Sequence, residues 1–222
     1  MPKTIYFDGA CLPVNPGGIA CFGIVAIDEN NIRIKEKWGI VAEHGTNNIA
    51  EWTGLIEAIR AAKELGWKNV KILGDSQLVV HQFNGLWEIR KKHLRKLYRE
   101  AQKEASDLKK IKVSWIPREK NLADPVCHKA FIDHVENKAR ERAEKEIEKY
   151  SIRQIDENHF IVSKQNKEKE IVSSYDVVLS PSFSCTCPFF VRYNSYPLLK
   201  RSNLKVKCKH YFILQNLLEK VS

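Results

Sequence analysis

The chain has 222 residues, of which 43% are hydrophobic, and its formal net charge is +10 at pH 7. This length and apolar content suffice for one full domain and a small module, and the positive charge favours a polyanionic partner. No apolar run approaches the length of a membrane span, and the segment after Met1 lacks the apolar stretch of a secretory signal. We therefore expect no membrane partner and a cytoplasmic location.

Strand-like and helix-like patterns alternate through the first half of the sequence. Strands are predicted where β-branched and aromatic residues lie between turn residues, and helices where apolar residues recur at helical spacing. The predicted elements are, in chain order, strands at 3–8, 20–27 and 32–38, a helix at 48–65, a strand at 70–74, helices at 76–83 and 91–108, a strand at 111–116 and a helix from Pro125. This order predicts an α/β fold in which a strand–helix–strand connection forms a parallel pair.

Four acidic residues occupy informative positions in this scheme. Asp8 and Asp75 end predicted strands, Glu51 lies in the first turn of a predicted helix, and Asp124 opens the last helix. Taken singly, each could make a turn or cap a helix, and Glu51 could close a capping box with Asn48. As a set they can meet at one edge of a mixed sheet, where clustered carboxylates need cations. The set predicts a divalent-metal site that acts on phosphodiesters.

The segments around these acids resemble type 1 ribonuclease H, and the archaeal form most of all, over residues 3–138. The matching segments are Tyr6–Ala10, Asn15–Ala20, Thr46–Glu51, Gly74–Val80, Gln82–Gly85, Trp115–Arg118 and Asn121–Asp124. The resemblance implies a ribonuclease H-like mixed five-stranded sheet flanked by helices. It also implies endonucleolytic cleavage of the RNA strand of RNA/DNA hybrids, which leaves 5′-phosphate and 3′-hydroxyl ends. By this resemblance two magnesium or manganese ions are held by Asp8, Glu51, Asp75 and Asp124.

The same resemblance implies two groups of substrate-binding residues. RNA 2′-hydroxyls would be contacted by Asn15, Asn47 and Asn48, and a phosphate of the DNA strand by Thr46. A basic, aromatic-bearing region that grips the DNA strand would comprise Trp87, Arg90, Lys91 and Lys92. Turn and cap chemistry remains open for the first group, and a solvated helix face for the second.

One feature of the resemblance is missing from this sequence. Many relatives place a histidine in the loop before the last catalytic aspartate, whereas residues 118–122 contain none. The acid/base assistant therefore stays open: His128, one helical turn beyond Asp124, could reach the site or be structural, and Arg118 or Lys120 could instead contact phosphate.

Cysteine and histidine gather in the last third of the chain. Because an intracellular chain seldom keeps disulfides, the gathered cysteines are interpreted as metal ligands. Three thiolates and one imidazole complete a tetrahedral set for one structural zinc ion, formed by Cys185, Cys187, Cys208 and His210. Unligated core cysteines are the alternative. Strands are predicted at 150–154, 159–164 and 175–179, a helix at 211–219, and twenty residues of loop between Cys187 and Cys208.

The Cys-x-Cys and Cys-x-His pairs in this setting resemble the SWIM zinc-finger family, which is linked to DNA or protein binding. Basic residues without acids from Arg192 to Lys209 favour nucleic acid as the partner of this small zinc-binding hairpin and helix module. The predicted domains are a catalytic domain at 1–138, a helical linker at 139–149 and a zinc finger at 150–222.

The sequence as a whole predicts a ribonuclease H tethered to a zinc finger. The partner of the catalytic domain would be an RNA/DNA hybrid, and the zinc finger would bind single- or double-stranded nucleic acid or a protein. The alternatives are a hybrid-binding protein without turnover and a transposase- or integrase-like strand transferase.

Overall fold

Five strands form a mixed sheet in the order β3-β2-β1-β4-β5. In the computed structural model, which describes residues 2–195 and 205–219, these strands are β1 (Thr4–Leu12), β2 (Ile19–Ile27), β3 (Arg33–Ala42), β4 (Asn69–Gly74) and β5 (Lys110–Trp115). The first three pair antiparallel, while β4 runs parallel to both β1 and β5. The predicted ribonuclease H-like mixed sheet is confirmed.

Four helices accompany this sheet: α1 (Asn47–Glu64), α2 (Gln77–Phe83), α3 (Lys92–Ala105) and α4 (Asp124–Glu146). Apolar residues of α1 recur at helical spacing, so Trp52, Leu55 and Ile59 are fully buried against Phe7 and Ile72 of the sheet. This burial fixes α1 across β1, the central strand of the sheet.

Helix α4 is continuous through the predicted domain boundary at residue 138 and is followed by a 3₁₀ turn at Ile147–Lys149. The chain divides within this helix into two compact units, Met1–Phe131 and Ile132–Ser222. The proposed limits of a catalytic domain, a linker and a zinc finger remain a prediction.

The second unit contains a four-stranded antiparallel sheet in the order β6-β7-β8-β9. Its strands are β6 (Tyr150–Gln154), β7 (His159–Gln165), β8 (Ile171–Val178) and β9 (Ser184–Cys185). Among the residues described in this unit, the helices after α4 are α5 (Pro188–Asn194) and α6 (Lys209–Glu219).

The loop predicted between Cys187 and Cys208 is wrong in its first third, because α5 forms there. Pro188 suits the first helical turn, and Cys187 precedes it as the N-cap. Residues 196–204 of that predicted loop lie outside the described residues. In the two stretches that the structure describes, no helix is long and apolar enough to cross a membrane.

Candidate functional site

Three acidic side chains from three different elements meet at one edge of the first sheet. Asp8 lies on β1, Glu51 lies on α1, and Asp75 directly follows β4; one carboxylate oxygen of each lies within 4.8 Å of the others. Asp8 is 2% exposed and Glu51 is 6% exposed. The structure therefore brings three of the four predicted acids into a single, largely buried cluster.

Two glycines permit this close approach. A Cβ at Gly9 would lie 2.1 Å from the backbone nitrogen of Glu51, so a side chain there would push α1 away from β1. Gly23 pairs with Asp8 across β1 and β2, and a Cβ there would lie 2.4 Å from the backbone nitrogen of Cys127 in the first turn of α4. Helices α1 and α4 can thus approach the Asp8 position from opposite faces of the sheet.

Asp124 is the first residue of α4 and lies outside the group of three. Its Oδ1 accepts a hydrogen bond from Nη2 of Arg118 at 2.5 Å, and its Oδ2 lies 3.5 Å from Nδ1 of His128. The charge of Asp124 still contributes to raising the pKa of Asp8. Asp124 therefore belongs to the same electrostatic site.

The electrostatics of the cluster oppose full ionisation. Burial raises the pKa of Asp8 to about 8, with further contributions from Asp75 and Asp124, while Arg118 acts in the opposite direction. Burial and the charges of Asp8 and Asp75 likewise raise the pKa of Glu51 well above its ordinary value. Without compensating cations, such a cluster retains protons at neutral pH.

Two oxygens of the cluster have no partner among the described residues. Oδ2 of Asp8 and Oε2 of Glu51 are buried and accept no hydrogen bond. Buried carboxylate oxygens are normally hydrogen-bonded or bound to metal, and hard cations such as magnesium prefer oxygen ligands. The donor set therefore fits divalent metal ions.

For Glu51 and Asp75, the helix-capping roles that were the alternative to metal binding are taken by neighbouring residues. Thr46, not Asn48, caps α1, since its Oγ1 accepts from the N–H of Ile49 at 3.4 Å. Ser76 caps α2 through a 3.5 Å hydrogen bond from the N–H of Val79. Glu51 and Asp75 are thus not required for capping, and their side chains are available to the cluster.

A second candidate metal site lies in the second unit. It is formed by Cys185, Cys187, Cys208 and His210, whose ligand atoms all lie within 4.8 Å of one another. All four are buried, at 4% exposure or less. Sγ of Cys185 lies 3.8 Å from Nδ1 of His210, close to the ligand–ligand edge of about 3.6 Å expected for tetrahedral zinc with bonds of about 2.3 and 2.05 Å.

Hydrogen bonding within this cluster separates the pKa values of its thiols: that of Cys187 is lowered, and those of Cys185 and Cys208 are raised. Hydrogen bonds from Cys185 and Cys208 lower the pKa of the Cys187 thiol, and the reciprocal bond raises the pKa of Cys185. Cys187 also accepts from the N–H of Phe190 at 3.4 Å. A thiolate at Cys187 supplies the ligand form that zinc requires.

Surrounding contacts hold the ligand loops in place. The Tyr175 ring stacks on His210 at 4.3 Å, and the backbone N–H of Lys207 donates to Glu136 at 2.9 Å. Lys209, between the last two ligands, pairs with Glu146 at 2.7 Å. The four ligand side chains are therefore positioned by β9 and α5 on one side and by the start of α6 on the other.

Comparison with known proteins identifies the first unit. Residues 6–130, more than half of the chain, match the family described as Reverse transcriptase-like. The N-terminal RNase H domain of Rv2228c from Mycobacterium tuberculosis is 32% identical, with a TM-score of 0.57, over 62% of this chain and 98% of that chain. The chain belongs to the ribonuclease H family.

Other ribonucleases H support this assignment. RNase H1 from the halophilic archaeon Halobacterium salinarum is 30% identical, with a TM-score of 0.56, over 59% of this chain and 98% of that chain. LC11-RNase H1, solved in complex with an RNA/DNA hybrid, is 28% identical, with a TM-score of 0.55, over 60% of this chain and 98% of that chain.

Full-length relatives are longer than the matched region. Bifunctional protein Rv2228c is 36% identical over 119 residues, which are 53% of this chain and 32% of that protein. Ribonuclease HI of H. salinarum is 35% identical over 135 residues, 58% of this chain and 63% of that protein. The chain thus spans less than two thirds of the length of these relatives.

Asn121 is a site residue of this ribonuclease H unit to which the sequence analysis gave no role. Its Nδ2 donates to Oδ1 of Asp75 at 2.8 Å and to the carbonyl of Phe7 at 2.9 Å, and its Oδ1 accepts from the N–H of Ala123 at 3.1 Å. Asn121 is 4% exposed. It therefore connects β1, Asp75 and the turn that precedes Asp124. In the sequence, the feature that points to Asn121 is its place three residues before Asp124, in the segment Asn121–Asp124.

The predicted RNA-contacting residues of the ribonuclease H unit lie beside Glu51. Asn15 Oδ1 accepts from the backbone N–H of Asn47 at 3.0 Å, and Asn47 Nδ2 donates to Glu51 Oε1 at 3.4 Å. Thr46 is the N-cap of α1, and Asn48 lies half-buried in the first turn. These residues therefore make cap and turn contacts and also lie close to the Glu51 carboxylate.

The predicted DNA-gripping residues of the ribonuclease H unit lie on its surface. Trp87 is 47% exposed and stacks on His81, with ring centroids 4.5 Å apart. Arg90, Lys91 and Lys92 are exposed around the start of α3. These side chains present an aromatic face and three positive charges to solvent.

Proposed function

We propose that this chain is an endoribonuclease that hydrolyses the RNA strand of RNA/DNA hybrids, leaving 5′-phosphate and 3′-hydroxyl ends. The observation that carries the proposal is the pair of buried oxygens, Oδ2 of Asp8 and Oε2 of Glu51, that lack a partner in the described protein. A chain that only bound hybrids would gain nothing from three carboxylates within 4.8 Å of one another.

Two magnesium or manganese ions would be held by Asp8, Glu51 and Asp75 together with Asp124. Bound there, the ions would supply an activated water for attack on phosphorus and would stabilise the departing 3′ oxygen. The chain's own contribution is a set of carboxylates whose pKa values are raised by burial and by the neighbouring negative charges. Asn121 orients the Asp75 carboxylate by donating to Oδ1.

Substrate recognition would fall to the residues around the cluster. The amides of Asn15, Asn47 and Asn48 offer donors and acceptors that suit RNA 2′-hydroxyls, and Thr46 would contact a DNA-strand phosphate. This assignment is supported by the hydrogen-bonded chain from Asn15 through Asn47 to Glu51.

The DNA strand would be held by Trp87 and the three basic residues Arg90, Lys91 and Lys92. Their exposure supports phosphate and sugar contacts in this role. The relative solved with an RNA/DNA hybrid, LC11-RNase H1, supports the substrate class.

The second unit would act as a SWIM-type zinc finger that raises affinity for nucleic acid. One structural zinc ion would be held by Cys185, Cys187, Cys208 and His210, a set with no position left open for water. Linked binding of two modules raises the effective concentration of substrate at the catalytic unit.

Cleavage of strand-labelled substrates tests the proposal. The native chain and Asp75→Asn are compared on an RNA/DNA hybrid with magnesium, with manganese and without either, and double-stranded RNA and DNA serve as controls. Metal-dependent loss of only the RNA strand, absent in the variant, is expected. Tight hybrid binding without cleavage under every condition would make the chain a binding protein, and joining of DNA strands would make it a strand transferase.

A further inference from the structure

A cavity of about 790 Å³ lies where β1, β4 and β5 begin. The carboxylate cluster lies at the other end of the same strands, since Asp75 follows β4. Asp75 lies four positions after Lys71, which is in the cavity wall, and this corresponds to about 13 Å along an extended strand. The cavity is therefore separate from the carboxylate cluster.

Lysine dominates the wall of this cavity. Half of its lining residues are lysines and none is acidic, as far as the chain is described; the lysines are Lys3, Lys68, Lys71, Lys110 and Lys112. A cavity of this size falls within the range of small-ligand sites, about 300–1,000 Å³. Its charge selects for anionic groups.

The strand register places like charges directly opposite each other. Lys71 of β4 is paired with Lys112 of β5, and Lys110 lies two residues earlier on the same face. Their neighbours Ile72 and Val113 point into the core, so the lysines project from the opposite face. Like charges at directly opposed positions are unfavourable unless something compensates them.

Other lysines of the same unit have acidic partners, including Lys3 of the cavity wall, which pairs with Glu29 at 3.7 Å, but Lys71, Lys110 and Lys112 do not, as far as the chain is described. Lys37 pairs with Glu57 at 2.5 Å, and Lys63 pairs with Glu104 at 2.6 Å. Within residues 2–195 and 205–219, Lys71, Lys110 and Lys112 form no ion pair with a carboxylate. Lys110 and Lys112 could protect the edge strand β5 from pairing with another chain. This explanation does not apply to Lys71, because β4 is an interior strand.

We propose that this cavity is a second phosphate-binding site, which holds adjacent phosphate groups of a ligand through Lys71, Lys110 and Lys112. A series of closely spaced phosphates is the anion that matches several unpaired ammonium groups on one face. Two sources share this chemistry: the backbone of a nucleic acid strand outside the active site, and a free nucleoside polyphosphate.

The test compares Lys71→Gln/Lys112→Gln with Lys103→Gln/Lys109→Gln, which removes the same charge from exposed positions outside the cavity wall. Amide NMR shifts of residues 66–71 and 110–112 are recorded in the full chain without divalent metal. The probes are an oligothymidylate, ATP and inorganic triphosphate.

A nucleic acid strand is the source if the oligothymidylate shifts these amides at lower concentration than ATP or triphosphate. A nucleotide is the source if ATP saturates the site and the oligothymidylate does not. In either case the cavity variant should lose the shifts and the control should keep them. For the oligothymidylate, log K falls as log salt rises, and losing two phosphate contacts should make this slope less negative by about 1.4.

Two results would overturn the proposal: no shift at these amides with any probe, or equal weakening in the cavity variant and the control. Hybrid cleavage at saturating substrate should be unchanged in the cavity variant, since neither lysine belongs to the carboxylate site. This readout separates failure of the second site from failure of the proposed nuclease activity.

Discussion

Nδ2 of Asn121 lies 2.8 Å from Oδ1 of Asp75 and donates a hydrogen bond to this carboxylate. The same nitrogen donates to the carbonyl of Phe7, one residue before Asp8. A single buried amide thus connects β1, next to Asp8, with the carboxylate of Asp75. Disturbing it should affect metal use as well as stability.

We expect Asn121→Ala to lower stability by about 1–3 kcal/mol, because it removes the hydrogen bonds that this buried side chain makes to Phe7, Asp75 and Ala123. It should also raise the magnesium concentration needed for half-maximal cleavage, because Asp75 loses its orienting hydrogen bond. Asn84→Ala is the matched control, since its Nδ2 donates to the Val113 carbonyl at 3.0 Å away from the cluster. An equal magnesium requirement in both variants would contradict the positioning role.

The raised pKa of Asp8 predicts a dependence of stability on pH in the absence of divalent metal. The folded-state pKa of about 8 exceeds the ordinary value of 3.8, so the folded chain binds more protons than the unfolded chain between these values. The free energy of unfolding should therefore fall as pH rises from about 4 to about 8. Added magnesium should restore stability at pH 8, because it binds the ionised cluster.

Asp8→Asn removes this titration, so the metal-free variant should exceed the native chain in stability at pH 8 by at least about 1.4 kcal/mol, the equivalent of one pKa unit. Urea unfolding at several pH values, in magnesium-free buffer without a chelator, measures the difference and leaves the cysteine site undisturbed. Asp107→Asn should show no such gain, because a hydrogen bond to Lys63 lowers the pKa of Asp107. Parallel stability curves for the native chain and Asp8→Asn would rule out the buried-charge explanation.

His128 is expected to position Asp124. The ring is 2% exposed, neither of its nitrogens has a hydrogen-bond partner among the described residues, and Nδ1 lies 3.5 Å from Oδ2 of Asp124. His128→Leu fills the buried space but removes the ring nitrogen that lies 3.5 Å from Asp124, so we expect the magnesium concentration for half-maximal cleavage to rise about 10-fold or more. His128→Asn places an amide near the Nδ1 position and should restore most of the affinity. Equal defects in both variants would indicate a packing role alone.

The end of β4 was readable from the sequence, because an apolar run that stops at Asp75 places this acid at the end of the strand. The predicted end of β1 at Asp8 is wrong: β1 continues to Leu12, since the residues after Asp8 still pair with β2, yet Asp8 lies in the predicted cluster and the fold around it is confirmed. Helix caps were less readable, because Thr46 and Asn48 are both good caps and only tertiary packing selects Thr46.

Long-range features were not readable from the sequence. The opposition of Lys71 and Lys112 depends on the register of two strands separated by two helices, which no local pattern encodes. The three contacts of Asn121 likewise join residues up to 114 positions apart. Helix α5 was missed because Pro188 and the aromatic residues after it were interpreted as loop.

The cysteine cluster predicts that zinc holds only the second unit together. Cys208 is fully buried beside the other three ligands, so Cys208→Ser should abolish zinc binding and unfold the small unit, since a module of this size depends on its metal. Magnesium-dependent cleavage should survive at high hybrid concentration, while hybrid affinity weakens and depends less on salt. Cys11→Ser is the matched control, because Cys11 only donates to the carbonyls of Val14 and Gly45, which a hydroxyl can also do. Zinc analysis, circular dichroism and a salt titration of hybrid binding measure these effects, and unchanged affinity of Cys208→Ser at every salt concentration would refute the anchoring role.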